Sequence, residues 1–308
     1  LRRLIILALI GLVAQLVDGS LGMAYGVTST SLLLMFGLAP AVVSASVHMA
    51  EVVTTAASGI AHIRFGNVDK HVVYRLIIPG SIGAFLGACF LGSIPGHIIK
   101  PYVSFFLLLL GCYVLFRFMF RFGPAKKAKE MKLTKKQFVP LGFLAGFCDA
   151  TGGGGWGPIA TPVLLTSNKM EPRKAIGSVD TSEFAIAVAS TLGFMLTLGW
   201  SQIHIQWVLA LMIGGIIAAP IAAWLVKRIP TTILGTLVGG VIIITNMRTI
   251  LGAFNASPLT SVLTYLALVI LWLGAIAKVT WKFKNNEFTK KVEITREARK
   301  YLPSKARG

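Results

Sequence analysis

The chain alternates long apolar stretches with short polar or basic breaks, and the lengths of those stretches predict its elements. A membrane-spanning helix needs about 20 mostly apolar residues. Residues 43–63, 72–91 and 101–120 are long enough, and so are 175–198, 205–226, 232–251 and 259–279. Residues 4–17 and 24–36 are each too short to cross comfortably. Joined by Asp18-Gly-Ser-Leu-Gly22, they predict a re-entrant hairpin of two half-helices. Residues 141–165 hold a second hairpin, interrupted by Cys148-Asp-Ala-Thr-Gly-Gly-Gly-Gly-Trp-Gly-Pro158. Broken backbone at membrane depth survives only where protein or a watery cavity satisfies the freed N–H and C=O groups. Consecutive glycines carry no side chains, so the peptide itself can lie close to a small ligand.

The two tips align with each other. Asp18 corresponds to Asp149, Ser20 to Thr151, Gly22 to Gly153, Tyr25 to Trp156 and Gly26 to Gly157. Further on, Ser46-Val-His-Met-Ala-Glu51 matches Ser178-Val-Asp-Thr-Ser-Glu183, and Ile94-Pro95 matches Ile229-Pro230. The matched positions are mostly polar, Gly or Pro, which chance similarity between two apolar regions does not produce. The expected fold is an all-α polytopic membrane protein of two repeats. Each repeat is a broken-helix hairpin plus three transmembrane helices, and one extra C-terminal transmembrane helix follows. The expected division is a first repeat over 1–122, a basic linker over 123–137 and a second repeat over 138–253. The additional helix then occupies 254–280 and a basic tail 281–308.

Composition agrees: the chain is 55% hydrophobic, only 13% charged, and has a mean hydropathy of +0.76. A net charge of +19 raises the question of nucleic acid, but the basic residues gather in loops and in the tail. That is where the positive-inside rule puts them, so no nucleic-acid partner is expected. With the linker placed in the cytoplasm, the basic loops and the tail fall inside, and the uncharged loops 38–44 and 252–258 fall outside. Each half then crosses an odd number of times, so the halves are inverted, as in many secondary transporters. Arg2 and Arg3 are the exception, falling on the external side. The first apolar run lacks a cleavage-site pattern and reads as mature structure. Cys89, Cys112 and Cys148 show no Cys-x-x-Cys spacing and read as buried free thiols.

Five of the eleven acids lie within apolar sequence: Asp18, Glu51, Asp149, Asp180 and Glu183. Burying such a group costs about 2.5–3.5 kcal/mol on insertion scales, which marks each as a functional candidate. His48/Glu51 and Asp180/Glu183 are spaced i,i+3, so each pair shares a helix face and the two faces can converge on one cavity. These side chains also suit hydrogen bonding to broken backbone. Asp18, Asp149 and Thr151 fit two roles, capping the next half-helix or touching a ligand. The half-helices beginning near Ala24 and Gly155 aim free N–H groups inward, a geometry suited to a small anion. Ser20, Gly22 and Gly152, Gly153, Gly154 and Gly155 would hold its oxygens. Tyr25 and Trp156 either wall the site or serve as packing. Arg248 either joins Thr245 and Asn246 in a polar cluster or snorkels to the interface. Small residues at Gly80, Gly83, Gly87 and Gly214-Gly215 predict close helix contacts. No Ser/His or His-Glu-x-x-His arrangement and no P-loop occurs, so neither enzyme chemistry nor a cofactor is expected. A metal site is not expected either, since the second repeat lacks His and Cys at the matching positions.

At these residues the sequence resembles the TauE/SafE family of sulfite exporters, also called TSUP anion permeases. The resemblance rests on Val17-Asp-Gly-Ser-Leu-Gly-Met-Ala-Tyr-Gly26, on Gly146 to Pro158, and on the Ser-Val-x-x-x-Glu segments ending at Glu51 and Glu183. It implies export or uptake of sulfite, sulfoacetate, thiosulfate or a related small anion across the cytoplasmic membrane. The expected partners are therefore a small anionic substrate, a coupling H⁺ or Na⁺, and the lipid bilayer. An anion beside several carboxylates requires some of them to be protonated or paired when it arrives. Two other classes stay open: a cation or divalent-metal transporter using the acids, and a non-transporting scaffold whose basic tail binds a partner or anionic lipid.

Overall fold

The computed structural model describes residues 2–21, 23–120, 134–167, 172–225 and 231–300, and among these there is no strand. The helices are α1 (Arg2–Leu21), α2 (Tyr25–Met35), α3 (Pro40–Arg64), α4 (Lys70–Ser93) and α5 (Gly96–Phe120). There follow α6 (Lys135–Gly152), α7 (Trp156–Ser167), α8 (Pro172–Leu198), α9 (Ile205–Leu225), α10 (Thr231–Ala253) and α11 (Pro258–Lys300). Local chemistry sets several ends. Pro40 occupies the first turn of α3, Asp69 accepts from the N–H of His71 and Val72 at the start of α4, and Thr134 with Gln137 forms a capping box on α6. Gly153 ends α6 in the left-handed conformation at φ 66°.

Among the described residues, five helices are long and apolar enough to cross a membrane: Lys70–Ser93, Gly96–Phe120, Lys174–Leu198, Thr232–Ala253 and Pro258–Asn285. The polarity is inverted relative to a soluble protein. Ile78, Ile82, Leu86 and Phe90 form an exposed apolar stripe along α4, while Ser44, His48, Glu51, Asp149 and Asn246 are buried. An apolar exterior over a polar interior is the arrangement a bilayer requires of a bundle with a working centre.

Helix pairing follows the internal alignment of the sequence. α4 packs along α6 and α1 along α9; α5 packs along α10 and α3 along α8; α4 also meets α8, and α3 meets α9. Exchanging α1–α5 with α6–α10 leaves this set of pairings unchanged. The closest approaches run through glycine. A Cβ on Gly83 would meet the backbone of Phe143, and one on Gly214 the backbone of Ala8, so these backbones nearly touch. The helix α11 lies outside this arrangement and packs on α10, where the Trp272 indole donates to the Thr236 carbonyl at 3.1 Å.

The structure differs from the sequence reading at three boundaries. α1 and α6 do not break at Asp18 and Asp149 but continue to Leu21 and Gly152. α11 runs past the expected span at 259–279 to Lys300. The expected linker lies mostly outside the described residues, and its last part already belongs to α6.

Candidate functional site

Two short helices, α2 and α7, begin deep in the bundle, and each has a carboxylate placed over its first N–H groups. Asp149 belongs to the last turn of α6, and its Oδ1 accepts from the N–H of Gly155 at 2.7 Å and of Trp156 at 2.9 Å. Its backbone carbonyl accepts from Gly154 at 3.0 Å. The glycine stretch thus folds back so that one residue satisfies three successive N–H groups across the break, with Gly153 and Gly154 both at positive φ. Asp18 holds the corresponding place in α1, where its Oδ1 accepts from Tyr25 N–H at 3.2 Å. Ala24, the residue before α2, sits at φ 126°, a strained value for a residue with a side chain.

The tips also touch one another. Thr30, one turn into α2, donates to the Gly153 carbonyl at 2.6 Å. A Cβ on Gly26 would lie 2.7 Å from the Gly154 Cα and 2.8 Å from the Gly153 carbonyl oxygen. A Cβ on Gly154 would run into the backbone of Gly26 and Val27, and one on Gly152 into the Phe106 ring. The glycines therefore serve first to let the α6–α7 break nest against the first turn of α2.

Across from Asp149 stands His48 of α3. Its Nε2 lies 3.0 Å from Asp149 Oδ2, and its Nδ1 lies 2.8 Å from the Ser44 carbonyl. Because the carbonyl only accepts, Nδ1 carries a hydrogen. The contact to Asp149 then holds a proton on either partner: imidazolium with carboxylate, or neutral imidazole accepting from a carboxylic acid. Both side chains are buried, and Ser44 ties the pair to the tip by donating to the Ala150 carbonyl at 2.6 Å. Glu51 Oε2 is 4.0 Å from His48 Nε2, and a Cβ on Gly26 would come within 3.1 Å of Glu51 Oε1.

The remaining acids gather nearby. Glu183 lies within electrostatic reach of Glu51, Asp149, Asp18 and Asp180. Asp18 likewise feels Asp180. Asp180 accepts from Ser58 Oγ at 2.7 Å and stands 3.8 Å from His62 Nε2, toward the end of α3 where Arg64 lies. The Tyr25 hydroxyl is buried without a hydrogen-bond partner and feels both Glu51 and Asp18. Its counterpart Trp156 is fully buried and donates from Nε1 to the Val179 carbonyl at 3.0 Å, binding α7 to α8.

The structure thus brings together Asp18, Tyr25, His48, Glu51, Asp149, Gly152 to Gly155, Trp156, Asp180 and Glu183. The side chain of Ser20 and all of Gly22 lie outside the described residues. Thr151 turns back onto its own helix, donating to the Phe147 carbonyl at 2.7 Å. Asn246 is buried farther along α2, donating to Ser31 Oγ at 2.8 Å, and Arg248 lines a separate cavity at that end of the bundle. Ser44, Thr30 and Ser58 were absent from the sequence reading. Ser44 was the most accessible of them, standing i−4 to His48 on the same helix face.

Comparison with known proteins bears on what this centre serves. The family model described as "Sulfite exporter TauE/SafE" matches residues 7–249. The chain belongs to the TauE/SafE family. It is 59% identical over 290 residues to the "Probable membrane transporter protein YtnM" of Bacillus subtilis (strain 168), covering 94% of this chain and 97% of that one. No solved structure matches. This TauE/SafE chain is a multi-pass membrane transporter. Every candidate site residue falls inside the matched segment, whereas α11 falls outside it.

Proposed function

We propose that this TauE/SafE transporter moves a small sulfur oxyanion or organosulfonate, such as sulfite or sulfoacetate, across the cell membrane together with a proton. The observation that carries this reading is the Asp149 carboxylate bridging the α7 N-terminus and His48, buried between two broken helices. A helix N-terminus is a ready anion seat, and here the protein's own carboxylate occupies it. When Asp149 takes up a proton, it gives up its charge-assisted hold on the Gly155 and Trp156 N–H groups. Those donors and the positive end of α7 are then left to a substrate anion. One negative charge replaces another, so anion and proton enter the site together and the crowding of acids ceases to oppose the substrate. Asp18, Glu51, Asp180 and Glu183 supply further places for the coupling ion, H⁺ or Na⁺. Two inverted repeats would let the site face each side in turn, with the C-terminal tail in the cytoplasm.

The test is uptake of labelled sulfite and sulfoacetate into proteoliposomes under imposed pH and Na⁺ gradients, against protein-free vesicles. Saturable flux of either anion that follows the pH gradient is expected. Absence of flux for both anions under every gradient, with folded and reconstituted protein, contradicts the substrate assignment.

One observation favours a second reading. Ligand atoms of His48, Glu51 and Asp149 all lie within 4.8 Å of one another, and these types suit a divalent metal. In that case the metal is cargo and displaces the proton shared by His48 and Asp149. Equilibrium dialysis with Zn²⁺ and Mn²⁺ separates the readings, since metal transport requires binding that His48→Ala abolishes.

A further inference from the structure

A cavity of about 360 Å³ opens at the far end of α2, between α2, α5 and α10. That volume lies within the range of small-molecule pockets, about 300–1,000 Å³. Leu34 and Met35 of α2 form one wall, His97 and Lys100 of α5 another, and Arg248 and Thr249 of α10 the third. Three basic side chains converge with no acid in the lining. Among the described residues, ion pairs occur only at His48 and His62, and none of the three has a carboxylate partner among them. The backbone adds to this. The Leu33 and Leu34 carbonyls at the end of α2 accept from Phe36 and Gly37, and those ending α10 accept from Phe254, Asn255 and Ala256. Those bonds satisfy part of the α2 and α10 C-termini, and α5 begins at the cavity with its positive N-terminal end.

The sequence repeat shows that this charge is not inherited from the shared framework. The positions aligned with His97, Lys100 and Arg248 are Thr232, Gly235 and Tyr113, all uncharged. At Gly235 the space is filled by the Phe118 ring. The corresponding end instead places Arg117 at the position aligned with Gly252, where it donates to the Tyr113 hydroxyl at 3.2 Å. Deeper along the α2–α10 seam, one turn from Thr249 along α10, Asn246 donates to Ser31, one turn from Leu34 along α2. Asn246 Oδ1 is buried without a hydrogen-bond partner. Beyond Ser31 stands Thr30, which touches the glycine break at Gly153. Arg2 and Arg3 line a second cavity on the other flank of α2, so the same end carries further positive charge.

We infer that this cavity is an anion-binding vestibule, in which His97, Lys100 and Arg248 collect a small oxyanion before it passes along the α2–α10 seam to the tips. The inference rests on the transport reading above and places the entry for that reading's substrate on the external end. The same chemistry would also hold the phosphate of an anionic lipid headgroup.

The experiment uses the full chain, wild type, Lys100→Gln/Arg248→Gln and the charge-keeping Lys100→Arg/Arg248→Lys. Binding of labelled sulfite and sulfate is measured in nanodiscs of phosphatidylcholine alone and with phosphatidylglycerol added, and sulfite flux in proteoliposomes of both compositions. In phosphatidylcholine the Gln pair is expected to weaken binding and raise the flux KM at least about tenfold, as for losing two close-range charges in a watery mouth, with kcat nearly unchanged. The charge-keeping pair restores both. Unchanged binding and KM in the Gln pair overturn the vestibule while leaving the transport reading intact. A difference that appears only with phosphatidylglycerol overturns it in favour of a lipid site. Binding lost in the Gln pair without wild-type sulfite flux keeps the anion site and overturns the transport reading. Neither binding nor flux in wild type overturns both.

Discussion

At the second tip a carboxylate spans the helix break and meets a base on its far side. Asp149 holds the N–H groups of Gly155 and Trp156 and contacts His48 at 3.0 Å. At the first tip, among the described residues, Asp18 holds only Tyr25 N–H, at 3.2 Å, and the residue aligned with His48 is Asp180. Asp18 and Asp180 lie within electrostatic reach of one another. The same framework therefore carries a close acid–base contact on one side and, on the other, an acid whose aligned counterpart of His48 is a second acid. The first is balanced internally. In the second, Asp180 turns to Ser58 Oγ at 2.7 Å and His62 Nε2 at 3.8 Å instead. Equal positions of a duplicated framework thus hold unequal chemistry.

The strongest way to break this comparison is through the backbone. Gly154→Ala places a Cβ against the Gly26–Val27 backbone at φ 156°, whereas the aligned residue of the first tip is Met23. We expect Gly154→Ala to cost about 3–5 kcal/mol, strain and overpacking together, and the volume-conserving Met23→Leu less than about 1.5 kcal/mol. Thermal unfolding in detergent reads both, and equal losses would mean that the two tips are not distinguished by backbone packing.

The two acids should differ in sign. Asp149→Asn removes one member of a buried charge pair and should destabilise by about 3 kcal/mol. Asp18→Asn keeps an acceptor for Tyr25 N–H and relieves repulsion from Asp180, so it should be neutral or stabilising by up to about 1 kcal/mol. Destabilisation of equal size at both positions would dissolve the acid–base versus acid–acid distinction. Smaller effects sharpen the contrast. Trp156→Phe loses the bond to the Val179 carbonyl and about 1 kcal/mol, while Tyr25→Phe removes a buried hydroxyl with no partner and should leave stability unchanged. Thr30→Val loses its bond to the Gly153 carbonyl, again about 1 kcal/mol, and should be felt in thermal stability before transport.

Much of this was legible in the chain. Apolar run length located the helices, and paired polar and glycine positions located both tips, because neither signal depends on tertiary context. The helix ends were not. Asp149, Ala150 and Thr151 stay helical, and the break waits for Gly153, which takes the left-handed conformation that ends α6. Nor could spacing reveal that Asp149 itself fills the anion seat, since that depends on how Gly153 and Gly154 turn. His48 and Asp149 are far apart in the chain and belong to different halves, so only packing joins them. Glycine was ambiguous for a related reason: room for a ligand and room for another backbone read alike in sequence, and here another backbone lies close.

In the proposed cycle Asp149 exchanges its own charge for that of the substrate. The direct measurement is sulfite flux into proteoliposomes with and without a pH gradient, wild type against Asp149→Asn, normalised to folded protein. Wild-type flux is expected to follow the gradient, and the variant to lose this dependence and fall at least about 100-fold, as for loss of a positioned proton-transfer group. Variant flux that keeps both its rate and its response to the gradient would contradict it.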